Sequence, residues 1–595
     1  MAAHDALRTI LPVAGWPEER ARAVEITGGA DPVLPTPFRI GDTSAAALAA
    51  IGLAASDLWE LRTGRRQEVA VDLRQATASL RSGHYLKMEN TDVSRERNPV
   101  MGMYPAKNGR WSYVHANFPN HRAAALSVLG CAEDREEVKK TVAKWDALEL
   151  EEAIIAEKGA GGMVRSMAEW AKHPQGMAIA SLPLLEIVKI GDAPVEKLPQ
   201  GERPLSGVRV LDLTRVLAGP FCSMILGDMG AEIIKVEEPG KGDDTRGWPP
   251  FSGGEATYFL SVNRNKKSLT LNMKAPDGQA ILRRLVAKAD VVLENFRPGT
   301  MERLGFGYDA LRKLNPRLIY CAISGFGESG PEASRPGYDL IVQGESGVMD
   351  LTGFADGPPV KVGNSVADLV SGMAAAHGVT LALLSRARTG KGQKVEIGML
   401  DVMASLLTYQ AGLYWNGGGR PARRGNQHPS IVPYEVFQAQ DAYMTLGVAN
   451  NSLFDRMCRA IGREELAKDP RFDSEASRVA NREALVPLLN SIFSMRPASD
   501  WLKRLDEAGV PAGRIKTVAE VCDSEHLRAR GMFVSVQHPK AGSVTTMGVP
   551  IRLWDTPGAA QAPAPLLGQH TDEILTGLLR IPRAKVDKLR ADSVV

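Results

Sequence analysis

The amino-acid sequence predicts an α/β protein whose main body is a parallel sheet with helices on both faces, and in which part of the folding unit occurs twice. Three observations carry this. From residue 207 onward, short β-branched runs alternate with helical stretches, the order that builds a parallel sheet through crossover helices. Residues 61–80, LRTGRRQEVAVDLRQATASL, line up with residues 387–406, ARTGKGQKVEIGMLDVMASL, sharing the RTG turn, the Q-x-V after it and the closing ASL. The chain is also 595 residues long, 44% hydrophobic and 24% charged, enough to bury more than one core.

Taken in order, GVRVLDLT (207–214) is the first strand of the main body, followed by Gly219, Pro220 and the helical stretch FCSMILGDMG (221–230). AEIIKVEEP (231–239) is the next strand. The alternation continues as KKSLTLNM (266–273, strand), DGQAILRRLVAKA (277–289, helix), DVVLENF (290–296, strand), DALRKLNPR (309–317, helix) and LIYCAISGFG (318–327, strand). The Ala-rich stretch from Asp368 to Ser385 reads as helix, closed by the turn at Thr389–Gly392.

The repeat extends beyond its clearest stretch. Residues 26–52 answer residues 351–378 with a one-residue gap, which sets Asp42 on Asp368, and residues 103–130 resemble residues 436–462. Residues 205–350 have no upstream counterpart. The expected organisation is a truncated, degenerate copy in residues 1–195, an exposed charged linker at 196–206, a complete unit at 207–580 and a tail at 581–595.

Composition excludes several function classes. A net charge of +3, from 72 basic and 69 acidic residues without a long block of either sign, argues against general binding to nucleic acid or a membrane surface. The five cysteines lack C-x-x-C spacing, which points to reduced thiols and away from structural zinc. The N-terminus is too polar for a signal peptide, and no run reaches the roughly 18 apolar residues of a membrane span, so a cytoplasmic protein is expected.

A parallel sheet binds ligands at the carboxyl ends of its strands. The first such end, TRVLAGPFC, lacks the G-x-G-x-x-G of a dinucleotide site, which disfavours hydride transfer. Arg264, Lys266, Lys267 and Lys274 cluster around one strand, where they could meet phosphates or equally form a solvated edge. Asn295, Phe296, Arg297 and Arg303 lie just past another strand end. Asp368 opens a helix, and on residue type alone it reads as an N-cap before it reads as a nucleophile.

A run of motifs then becomes specific: LSGVRVLDLTRVLAGP, AEIIKVEEPGKGDDTRGW, ADVVLENFRPG, GYDLIVQGESGVM, VADLVSGM, RTGKGQ and APLLGQHTDEIL, in this order over residues 205 to about 580. Together they resemble the class III CoA-transferases, the group containing formyl-CoA and carnitine CoA-transferases. The resemblance implies a Rossmann-like large domain, a smaller α/β domain, an interlocked dimer, and coenzyme A bound between domains as a substrate, with no metal and no permanently bound cofactor. It makes Asp368 the nucleophile that moves coenzyme A from an acyl-CoA to a free carboxylic acid.

By the same transfer, coenzyme A contacts are expected from Val216, Leu217, Ala218, Leu271, Lys274, Asn295, Phe296, Arg303 and Tyr338, and a flexible substrate loop from Gly425, Asn426 and His428. Glu238 stands where formyl-CoA transferases carry an arginine, so Arg264 or Lys267 is expected to hold the adenosine end instead. The N-terminal copy is expected to act as an inactive pseudo-subunit, so the chain is a homodimer or an intrachain pseudo-dimer. Two other readings stay open. An α-methylacyl-CoA racemase shares most of these motifs but has histidine in the G-x-D segment, where this chain has Gly337-Tyr338-Asp339. A non-catalytic acyl-CoA scaffold would make Asp42 and Asp368 mere helix caps.

Overall fold

The computed structural model describes residues 2–36, 38–82, 98–183, 185–189 and 201–595; residues 196–200 of the expected linker therefore lie outside the described residues. The main sheet has seven strands: β1 (Glu186–Lys189), β2 (Arg209–Asp212), β3 (Glu232–Glu237), β4 (Lys266–Thr270), β5 (Val291–Glu294), β6 (Ile319–Ser324) and β7 (Gln393–Gly398). Their spatial order is β4-β3-β2-β5-β6-β7-β1. All pairs are parallel except β7 with β1. From β2 to β7 this is the doubly wound Rossmann order, with its switch point between β2 and β5. The central strands are continuous apolar runs because both faces are covered: every residue of β5 and β6 is buried.

Two 24-residue helices run through the largest core, α1 (Ile40–Thr63) and α2 (Val366–Thr389). They share a register. Asp42 and Asp368 are each the third residue, and Gly64 and Gly390 each end the helix in the left-handed conformation at φ 75°. Each helix also lies directly on its own strand. A Cβ at Gly52 would come within 2.5 Å of Val69 Cγ1, and one at Gly378 within 2.6 Å of Val395 Cγ1. By length and composition both helices could cross a membrane, contrary to the expectation that no run is long enough, yet 83% and 89% of their most apolar windows are buried inside the fold.

The two copies are interlocked. β1, the last strand before the linker, pairs antiparallel with β7 and sets Ile187 opposite Val395. In exchange, Ile551–Leu553 pairs antiparallel with Val69–Asp72 and sets Leu553 opposite Val69. Each copy thus adds its late strand to the sheet of the other. Each also carries a smaller antiparallel three-stranded sheet, Gly102–Pro105 with Trp111–His115 and Ala160–Met163, and Tyr434–Gln438 with Tyr443–Gly447 and Ala512–Arg514. The stretch read as a tail is a helix, Arg583–Ala591, whose Val586 and Leu589 join the second face of the main sheet.

The close helix–strand approach gives a direct test. Gly378→Ala is expected to destabilise the protein by about 1–3 kcal/mol, the range for overpacking. Adding Val395→Ala should recover much of that loss, because the two changes share one contact. Urea unfolding midpoints of the two single variants and the double variant measure it.

Candidate active site

Where β2 and β5 lie side by side, the chain leaves them toward opposite sides of the sheet, and a cleft opens beyond their carboxyl ends. One side chain bridges the two exits. The Asn295 amide accepts the Arg215 backbone N–H at 2.9 Å and donates to the Arg215 carbonyl at 2.8 Å. Val216 follows with φ 68°, a left-handed conformation that a β-branched residue adopts at a cost of about 1–3 kcal/mol. Its N–H donates to the Asp243 carboxylate at 3.3 Å.

Beneath this turn lies a fully buried web of charge. Lys235 pairs with Asp243 at 2.8 Å and donates to the Thr214 carbonyl at 2.9 Å, while Lys266 pairs with Asp212 at 3.2 Å. Burial alone would raise the Asp212 pKa, but the Lys266 and Lys235 charges outweigh it and hold the group at about 2. Burial, opposed by Asp212, brings Lys266 down to about 8. These pairs tie the carboxyl end of β2 to the interior of β3 and the start of β4.

The cleft is open to solvent and has a cavity volume of ≈ 180 Å³. Leu271, Lys274 and Phe296 line it, as expected from the sequence, together with Arg215, Glu238 and Thr300. The Arg215 guanidinium lies over the Phe296 ring at 5.3 Å. Arg303 donates to Thr300 at 2.9 Å at the margin. Among the described residues, Arg215, Lys274, Arg297 and Arg303 make no ion pair, so four cations around the cleft are free to meet an anion. Leu217 and Ala218 are buried at the start of helix Ala218–Asp228 and, like Val216, are not among the residues that line the cleft.

Two expected contacts are placed elsewhere. Arg264 is buried and spent on Asp228, with both guanidinium bonds at 2.9 and 2.7 Å, and on Thr546. Lys267 sits near the start of β4, at the end of the sheet away from the cleft, and is held by Glu232 at 3.0 Å and Glu573 at 2.7 Å. The sequence shows the lysines and arginine close together along the chain, but strand polarity separates Lys267 from Lys274.

Asp368 does not cap its helix. The N-cap is Ser365, and the cap bonds come from Asp339, whose carboxylate accepts the N–H groups of Ala367 at 2.8 Å and Asp368 at 3.4 Å. The half-buried Asp368 carboxylate has no hydrogen bond or ion pair among the described residues. Burial, and then the Asp339 charge, push its pKa well above the usual carboxylate range. This outweighs the helix N-terminus, which favours the ionised form. Asp42 differs despite its identical helix position: it is buried and accepts from Arg39 Nε at 2.7 Å.

Tyr338 joins cleft and carboxylate, since its hydroxyl is within electrostatic reach of Arg297, Arg215 and Asp368. Rings from the N-terminal copy cover it. His115 stacks on Tyr338 at 4.8 Å, Phe118 stacks at 5.3 Å, and His121 meets it edge-on at 5.3 Å. Sequence reasoning missed these three because they lie more than two hundred positions upstream; the repeat register was the one signal that could have brought them in.

The expected substrate loop takes another position. Gly425, at φ 60°, donates to the Gly353 carbonyl at 2.8 Å, and a Cβ there would strike Phe354 at 2.7 Å. Asn426 is exposed. His428 packs between Tyr409 and Tyr434, and the Tyr434 hydroxyl donates to the Asp31 carbonyl at 2.8 Å. The loop therefore leans toward Asp31 and Asp42 of the N-terminal copy. Among the described residues no contact joins it to Asp368.

Comparison with known proteins gives a consistent picture. The model of CoA-transferase family III matches residues 21–195 and 205–571. The chain is similar to the succinyl-CoA:glutarate CoA-transferase of Mus musculus, 42% identical over 394 residues, covering 66% of this chain and 90% of that protein. It is similar to the acetyl-CoA:oxalate CoA-transferase of Acetobacter aceti, 46% identical over 357 residues, covering 60% and 90%. Among solved structures it resembles a CAIB/BAIF family protein from Brucella suis, with a TM-score of 0.58 and 41% identity over 64% of this chain and all of that one.

The buried web makes the rim sensitive to acid. Asp212 has a folded pKa of about 2, below the ordinary value near 3.9, so its stabilisation is fully present above pH ~4 and is lost as pH falls through about 2. Asp212→Ala leaves Lys266 buried without its partner and is expected to cost about 3–5 kcal/mol near pH 7. The difference from the native chain should shrink between pH 4 and 2 in guanidinium unfolding curves.

Proposed function

The chain belongs to CoA-transferase family III and is a CoA-transferase, and from that membership we propose that it passes coenzyme A between short dicarboxylic acids through covalent intermediates on Asp368. The observation that carries the reading is the Asp368 carboxylate, which has no partner among the described residues and is held by a helix start that Asp339 caps in its stead. A desolvated carboxylate with a raised pKa is a stronger nucleophile once ionised than a solvated one. In this reading coenzyme A lies in the cleft beyond β2 and β5, with its phosphates near Arg215, Lys274 and Arg303 and its backbone contacts at Val216 to Ala218.

The steps balance without any co-reactant. Asp368 attacks the thioester carbonyl and expels the CoA thiolate, giving an acyl–aspartyl anhydride. The thiolate attacks the aspartyl carbonyl and releases the donor carboxylate, giving an aspartyl-CoA thioester. The acceptor carboxylate then attacks that thioester and expels the thiolate, and the thiolate attacks the acceptor's acyl carbonyl and frees Asp368. One thioester and one carboxylate enter and leave, so the site needs only to stabilise oxyanions and exclude water. Succinate, glutarate and oxalate are the acids named in its relatives, and the free cations around the cleft suit a substrate carrying a second carboxylate.

The N-terminal copy is read as a non-catalytic pseudo-subunit. Asp42 is neutralised by Arg39, and the copy has no counterpart of residues 205–350 to cradle a coenzyme. The strand exchange within one chain supports an intrachain pseudo-dimer. Tyr338, in place of the racemase histidine, favours transfer over proton exchange.

Asp368→Asn is expected to lower kcat for succinyl-CoA:glutarate transfer by at least about a thousandfold, whereas Asp42→Asn should leave it within a factor of two. Hydroxylamine trapping followed by mass spectrometry should mark Asp368 only; transfer surviving in the Asp368 variant would exclude the scheme. Because Asp339 raises the Asp368 pKa, Asp339→Asn should move the acid limb of the kcat/KM profile to lower pH. A limb that stays in place, or moves upward, would separate Asp339 from the nucleophile.

A further inference from the structure

Where the two copies should match most closely, in the small antiparallel sheet, they diverge at three positions that face Tyr338. The hairpin registers set Pro105 opposite Trp111 and Gln438 opposite Tyr443. Phe118 and Asn450 are the N-caps of the helices that follow. In this frame His115, Phe118 and His121 correspond to Gly447, Asn450 and Leu453. Asn450 is a working cap whose side chain accepts the Leu453 N–H at 2.9 Å, whereas Phe118 makes no cap bond. The N-terminal copy has forgone a stabilising cap at this position and has a ring on Tyr338 instead.

The two histidines are 6% and 4% exposed, and the Nδ1 atom of each is buried without a hydrogen-bond partner among the described residues. Two such atoms side by side are uncommon in a packed interior, where polar groups are paired, and they point to a group that binds there. The segment is also held firmly. Glu151 of the N-terminal copy accepts from Arg165 at 2.7 and 2.8 Å, and Arg335 reaches both Glu151 at 3.2 Å and Glu345 at 2.6 Å. This network fixes the histidines against the helix Asp339–Glu345, directly after Tyr338.

We propose that the N-terminal copy supplies the acid-binding end of the Asp368 site, where the imidazoles of His121 and His115, with the Tyr338 hydroxyl, hold the remote carboxylate of a dicarboxylic acid while Phe118 closes its apolar flank. This rests on Asp368 being the site of transfer and adds what selects the acid. Burial, helped by His121, lowers the His115 pKa to about 3, and burial and Arg297 lower that of His121. Both rings are thus neutral at pH 7, and each offers one N–H donor without bringing a permanent charge. Arg297, whose charge both His121 and Tyr338 feel, supplies the counter-charge. A site built to hydrogen-bond a substrate group rejects analogues that lack it more strongly than an apolar pocket does.

The test uses the full chain with succinyl-CoA as donor and glutarate or acetate as acceptor. His121→Phe is expected to reduce the ratio of kcat/KM for glutarate over acetate by about tenfold, carried by the glutarate KM, with the Kd for free CoA within twofold of native. His121→Gln restores an N–H donor and should recover part of the ratio. Phe118→Asn, which installs the residue of the other copy together with its cap, should shift the ratio in the same direction while raising thermal stability. Calorimetric binding of glutarate in the presence of CoA gives the same comparison without turnover. An unchanged ratio and unchanged glutarate binding in both His121→Phe and Phe118→Asn would overturn the proposal. Loss of all transfer in Asp368→Asn, with acid selectivity insensitive to His121, would leave the covalent reading standing and remove this one alone.

Discussion

The exchange of strands between the two copies is the constraint from which the rest of the structure follows. β1 completes the main sheet beside β7, and Ile551–Leu553 completes the small parallel pair at Val24–Thr27 and Val69–Asp72. Neither sheet has its full set of strands from its own copy. With both edges tied, α1 and α2 pack against one another in the shared core, and the small sheet of each copy is carried across to the helix start of the other. That crossing is why Tyr338 meets His115 while Tyr434 meets Asp31.

Electrostatics then separates two sites that sequence and helix geometry make equal. Asp42 and Asp368 occupy the same position in helices of the same length, and each has a neighbouring aspartate whose carboxylate takes its backbone N–H, Asp31 at 3.1 Å and Asp339 at 3.4 Å. Arg39 closes the first as an ion pair. Among the described residues no cation closes the second, whose carboxylate lies uncompensated beside Asp339. An uncompensated buried carboxylate reduces stability, and such groups persist where chemistry uses them.

The cleft shows the same division of labour. The buried Asp212, Asp243, Lys235 and Lys266 pair with one another and brace the strands beneath the cleft, and Lys235 and Asp243 also form part of its lining. Arg215, half-buried over Phe296, and the exposed Lys274, Arg297 and Arg303 make no ion pair among the described residues. The strained Val216 backbone is kept in place between the Asn295 bridge and Asp243.

The sequence by itself determined the parallel sheet, the alternation of its strands and helices, the repeat and the matched aspartates, because each of these is written in local periodicity or in direct self-similarity. It also placed Leu271, Lys274, Asn295 and Phe296 at strand ends that line or brace the cleft. The tertiary structure decided what depends on direction and on contacts between distant segments. Strand polarity sent Lys267 away from the cleft, and Asp228 claimed Arg264. A cap supplied from Asp339 freed the Asp368 carboxylate. The crossing of the copies put His115, Phe118 and His121 on Tyr338 and carried the loop around His428 to the opposite aspartate. Spacing along the chain cannot encode these assignments, since each rests on the direction in which a strand runs or on which distant side chain reaches a group in space.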